Sequence, residues 1–166
     1  MKKANKVAVA AIITLIVITI PVYVYIHQDT GTPGSIQIRG AVGHPENLTY
    51  TQIEAFSPVT VQVNVKSDRP AENGTFNYTG VPLMFLLEQA QISSNASSVY
   101  ILAPDGFAIT LSIQDAQKAN TIIAYLKDGK SMSPLSDGGE GPMRLVIGED
   151  QFASRWVKDV SLIEVN

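Results

Sequence analysis

Cysteine is absent from all 166 residues, which excludes disulfides, thiolate metal ligands and lipid attachment through sulfur. Histidine is scarce. His27 and His44 stand apart in the chain, so neither an imidazole-built zinc site nor a Ser-His-Asp arrangement is indicated. The Gly-x-Gly-x-x-Gly and P-loop patterns are missing, and no EF-hand spacing surrounds Asp105-Gly106. Basic residues are few beyond the N-terminus. With Lys2, Lys3 and Lys6 set aside, nine basic residues face fifteen acidic ones, a formal charge of −6, whereas a nucleic-acid partner calls for the opposite sign. No repeat of fixed period is present.

What the chain does contain begins with an uncharged apolar run over residues 7–26. At a rise of about 1.5 Å per residue, roughly twenty helical residues cross a hydrocarbon core about 30 Å thick. A secretory leader has a shorter apolar region and a small-residue cleavage site, and His27, Gln28, Asp29 and Thr30 do not form one. The sequence therefore predicts a cytoplasmic tail over residues 1–6, a transmembrane helix over 7–26, a linker over 27–34 and an extracytoplasmic domain over 35–166. Three lysines precede the run and the next basic residue is Arg39, so the positive-inside rule predicts a single-pass plasma-membrane protein with its C-terminal domain outside the cell. The expected partners are the membrane, through that helix, and a membrane or cell-surface protein, but not nucleic acid. Asn47, Asn73, Asn77 and Asn95 each open an N-x-[ST] sequon, predicting glycosylation, although Asn and Thr also co-occur in turns.

Residues 35–166 predict an α+β domain, a mixed β-sheet with short helices. Ile36 and Ile38 alternate with polar neighbours, as do Val59, Val61, Val63 and Val65, the mark of half-buried strands. Thr49 is placed to cap a short amphipathic helix. Residues 67–77 predict a polar loop, and residues 83–90 a helix behind Pro82. Asp105-Gly106 between two apolar runs predicts a β-hairpin. A helix over 113–119, a strand over 121–126, a Gly- and Ser-rich loop over 131–142 and strands over 143–147 and 161–165 complete the expectation of about seven strands.

The order of several short motifs resembles the molybdopterin-binding oxidoreductase domain, the sulfite-oxidase-like fold. They are Leu48-Thr49-Tyr50-x-x-Ile53, Tyr78-x-Gly80-Val81-Pro82-Leu83-x-x-Leu86-Leu87, Asp105-Gly106-Phe107, Ile123-Ala124-Tyr125 with Asp128-Gly129-Lys130, Gly141-Pro142-x-Arg144-Leu145-Val146, and Trp156-Val157-Lys158-x-Val160-x-x-Ile163-Glu164-Val165. The resemblance implies a molybdopterin cofactor whose metal is held by a cysteine near the end of the strand matching Val59 to Val65. Here that stretch reads Val65, Lys66, Ser67, Asp68, so only Ser67 or Asp68 offers an oxygen and no metal ligand is assigned. The resemblance also implies an anion site, for which Gly139 and Gly141 would give backbone N–H groups and Arg144, Arg155 and Lys158 charge. The alternative is that the glycines shape a turn and the basic residues make surface pairs. Arg155 and Trp156 are candidates to stack on a ligand, or Trp156 is core.

With the thiolate missing, the expectation is that no cofactor is bound and that the domain is a degenerate ligand-binding or interaction module. Two alternatives remain: an active molybdopterin-dependent oxidoreductase with a non-cysteine metal ligand, and a structural cell-surface domain.

Overall fold

In the computed structural model, which describes residues 34–66, 73–150 and 152–166, alternating apolar side chains build two five-stranded sheets. The first runs in the order β2 (Glu46–Thr49), β1 (Ser35–Gly40), β10 (Leu162–Val165), β5 (Ser98–Leu102), β6 (Ala108–Ser112). Within it β1 and β10 pair in parallel and the other neighbours antiparallel. The second runs β3 (Val59–Val65), β4 (Gly74–Pro82), β7 (Thr121–Lys127), β8 (Lys130–Ser131), with β9 (Arg144–Ile147) also paired to β7. Three short helices join these strands: α1 (Tyr50–Glu54), α2 (Leu83–Gln89) and α3 (Ile113–Ala116).

Helix α1 starts where the sequence predicts, because the Thr49 hydroxyl accepts from the Gln52 N–H while the Gln52 side chain reaches back to the Thr49 N–H. That reciprocal capping satisfies two amide donors that the first turn leaves open. Helix α2 buries Leu83, Leu86 and Leu87, the i, i+3, i+4 stripe of a helix packed on a sheet. Ile36, Ile38, Ile53, Ile101 and Ile123 join them in one apolar cluster.

Three expectations are corrected, and one strand that was not expected is present. Residues 74–77 are not loop but the start of β4, which pairs with β3 over seven residues from Val65↔Gly74 to Val59↔Gly80. Its exposed Thr75 and Asn77 resemble loop residues because they face solvent, while Phe76 and Tyr78 alternate inward. Glu46–Thr49 forms β2 before the helix starts, held by antiparallel pairing to β1. The helix expected over 113–119 ends at Ala116. Ten strands rather than about seven are present among the described residues.

Several expectations fall outside the described residues: the tail over 1–6, the apolar run over 7–26, the linker up to residue 33, and Ser67 and Asp68. Among the described residues no helix is long and apolar enough to cross a membrane. Asn47, Asn73, Asn77 and Asn95 are all exposed.

Candidate functional site

The second sheet concentrates charge at one place. Tyr78 on β4 lies directly opposite Lys127 on β7, and Arg144, the first residue of β9, pairs with Ala124 of β7. Glu140 reaches the same place from the loop between β8 and β9. Its carboxylate accepts from Lys127 Nζ at 2.8 Å and from the Tyr78 hydroxyl at 3.3 Å, and it is ion-paired with Arg144 Nη1. Arg144 Nη1 also donates to the Tyr78 hydroxyl oxygen at 3.4 Å.

Aromatic rings wall this cluster. The Arg144 guanidinium sits 5.1 Å from the Trp156 ring centre and 5.8 Å from that of Tyr78. Lys127 Nζ lies 4.1 Å over the Phe76 ring, and Tyr78 and Trp156 meet edge to face at 5.6 Å. Cations over ring faces in a desolvated setting are favourably held. Arg144 is only 5% exposed and Trp156 3%, yet Arg144 Nε and Trp156 Nε1 have no acceptor among the described residues. Two buried donors of this kind call for an oxygen, from water or from a ligand.

The electrostatics follow from this geometry. Burial pushes the Glu140 carboxyl up, but the Arg144 charge and the Lys127 hydrogen bond outweigh it and hold the group below its ordinary value. Burial works against the Lys127 ammonium too, and the Glu140 hydrogen bond with the nearby Tyr78 and Glu140 charges reverses the sign, leaving it raised. Burial raises Tyr78, opposed in part by Arg144. A lowered carboxyl stabilises the fold above its unfolded value, near 4.3, and that stabilisation is lost as pH falls through the folded value. A raised ammonium stabilises below about 10.4 and is lost as pH rises through its folded value. The stability gap between the natural protein and Glu140→Gln, followed by denaturant titration, is therefore expected to narrow from neutral pH towards about pH 3. A gap that stays constant would show that Glu140 is not held ionised by these partners.

The loop that delivers Glu140 is set by glycines. Gly138 and Gly141 take left-handed φ of 74° and 86°. The N–H groups of Gly139 and Gly141 donate to the carbonyls of Pro134 at 3.0 Å and Ser133 at 2.9 Å. Both donors that the sequence suggested for an anion are thus used to close the loop on itself. A Cβ on Gly139 would come 2.1 Å from the Ser133 carbonyl oxygen, and one on Gly141 2.4 Å from the Asp159 Cα. An open groove of about 340 Å³ lies along this loop, lined among others by Lys127, Lys130, Met132, Ser133, Gly139 and Glu140.

The predicted basic residues divide. Arg144 is in the cluster. Arg155 instead binds Asp150, with Nε to Oδ2 at 3.0 Å, and Asp115, with Nη1 to Oδ2 at 3.1 Å. Lys118 joins that second network through Asp115 and Glu149, both at 2.8 Å, and is pushed up to about 12 by its hydrogen bonds to them. Arg155 shares no carboxylate with Arg144 among the described residues. Lys158 is half-buried on the segment leading into β10. Trp156 is both core and wall: it is buried, and its ring faces Arg144. Sequence reasoning missed Lys127 and Tyr78 as parts of the cluster. No spacing signal pointed to them, since Glu140 stands in a loop and Arg144 opens a strand.

The sequence pattern of the family described as oxidoreductase molybdopterin binding domain matches residues 32–166. The chain belongs to that family. Among curated proteins, a member-like relative in Bacillus subtilis (strain 168), named uncharacterized oxidoreductase YuiH, is 23% identical over 146 residues, spanning 84% of this chain and 70% of the relative. Among solved structures, the sulfane dehydrogenase SoxCD from Paracoccus pantotrophus superposes with a TM-score of 0.64 at 20% identity, over 79% of this chain. The chain matches only 37% of the length of that SoxCD chain. This likeness shows the sulfite-oxidase-like fold alone.

Membership of the molybdopterin-binding domain family raises the question of whether these residues fit its metal and pterin. They do not fit in the form the resemblance implies. The chain has no thiol, and soft sulfur is the ligand that such a centre favours. Arg144 is already neutralised by Glu140, and the two glycine N–H groups are committed within the loop.

Proposed function

We propose that this member of the molybdopterin-binding domain family is a degenerate module, anchored outside the membrane by residues 7–26, that binds a ligand or a protein partner instead of running metal redox chemistry. One observation carries the reading: in a chain without cysteine, the carboxylate of Glu140 fills the position where Arg144 and Lys127 would receive an anion. A buried arginine already paired to a carboxylate gains little from a second anion, because the new ligand must displace a bonded partner. The unfilled donors Arg144 Nε and Trp156 Nε1 favour a small oxygen-bearing group from a ligand at the same place. Tethering adds to weak affinity by keeping the domain close to membrane partners.

Inorganic phosphate tests the closed position. Thermal unfolding of Glu140→Gln is expected to shift upward as phosphate is added, since ligands of the native state stabilise by mass action, while the natural protein shows little shift. Equal protection of both proteins would mean that the Arg144 position is open, as a cofactor-binding enzyme requires, and would contradict the module reading.

A further inference from the structure

The strand registers place two features at one end of the first sheet. Gln37 of β1 is level with Leu162 of β10, Leu162 with Leu102 of β5, and Leu102 with Ala108 of β6. Gly34 and the start of β1 therefore project from the same end as the β5–β6 hairpin tip at Asp105, Gly106 and Phe107. Three strand intervals of about 4.8 Å separate β1 from β6, so the tip lies roughly 14 Å to the side of the point where the chain enters the domain. The Phe107 ring is 45% exposed at that tip, and its N–H is tied to the Asp105 carboxylate at 2.9 Å. An exposed apolar ring at a membrane-facing edge suits the boundary between headgroups and acyl chains.

Seven residues, 27–33, separate the apolar run from Gly34, a reach of at most about 25 Å when fully extended. That length keeps the point where the chain enters the sheet within about 25 Å of the apolar run, and the hairpin tip projects from the same end. We infer that the β5–β6 hairpin tip is a membrane-contacting element, with Phe107 seated in the lipid headgroup layer beside the anchor. The inference rests on the anchor reading of residues 7–26. The occupant is the bilayer and not a protein, because the end of the domain that bears Phe107 is the one that chain length keeps nearest the membrane. The tip also carries Asp105, which lies near enough to Asp159 for burial, then the Asp105 charge, to raise Asp159. Such acidic groups fit a neutral lipid surface better than an anionic one.

Bromolipid quenching of the full chain in phosphatidylcholine vesicles tests this. Trp156 is the single natural tryptophan and is buried, so it provides an internal emission that lipid does not reach. Phe107→Trp adds a probe at the tip, and Asn95→Trp adds one at the opposite end of the sheet, next to the segment where the Ser97 N–H bonds the Asn166 carbonyl. In vesicles brominated near the headgroups, the added emission of Phe107→Trp is expected to fall at least about twofold while that of Asn95→Trp holds. Flotation of the same samples separates the two layers of the argument. Protein that floats with lipid but shows equal emission for both probes overturns the tip contact and leaves the anchor standing. Protein that does not float overturns the anchor, and the tip contact with it.

Discussion

Arg144→Ala is expected to lower the unfolding free energy by about 2 to 4 kcal/mol, below or within the range for breaking a buried ion pair. Arginine at this position is almost wholly buried, and its removal strands Glu140, whose side chain is 23% exposed, beside the Tyr78 and Trp156 rings. Lys127 remains as one partner, and solvent reaches part of the carboxylate, which places the cost toward the lower end. Glu140→Gln leaves the guanidinium buried without a counter-charge, so it too should destabilise. Because the two residues act on one another, the double variant Arg144→Ala with Glu140→Gln should cost less than the sum of the singles by about 1 to 3 kcal/mol. Denaturant unfolding of the four proteins measures this directly. Additive losses would mean that the pair is not coupled.

Gly141→Ala is expected to cost about 3 kcal/mol or more, from two causes that add. The left-handed φ of 86° penalises any Cβ by about 1 to 2 kcal/mol. The new carbon would also lie 2.4 Å from the Cα and Cβ of Asp159, and backbone there is pinned, since the Asp159 N–H donates to the Glu140 carbonyl at 3.2 Å. Gly138 is the control. Its φ is 74° but nothing lies within 4 Å of an added Cβ, so Gly138→Ala should cost only the conformational part, about 1 kcal/mol. Equal melting temperatures for the two variants would show that Gly141 is not a packing residue.

Much of the fold was legible in the sequence because its signals were local. The valine alternation of β3, the Asp105-Gly106 hairpin and the Thr49 cap each depend on neighbours within a few residues. The start of β4 was hidden because Gly74 and Asn77 carry turn propensity, and only pairing with β3 makes them strand. The site was legible in part. Arg144 stood out through the family motif, but its neutralisation by Glu140 depends on a loop closure through Ser133 and Pro134 carbonyls that no periodicity encodes. Gly139 and Gly141 read as anion donors from sequence, whereas in the structure their N–H groups close that loop. Arg155 read as a third cation for one cleft, yet Asp150 and Asp115 draw it into a separate network. Arg144 and Arg155, close in sequence, thus meet different carboxylates, since spacing alone does not say which carboxylate each one meets.

We propose that this family member does not hold its family's metal. Molybdenum by elemental mass spectrometry and pterin by fluorescence, both on the full chain purified from a host that makes the cofactor, test it most directly. Background levels of each are expected, unchanged in Arg144→Ala. Stoichiometric molybdenum with pterin, lost in Arg144→Ala or Lys158→Ala, would contradict it.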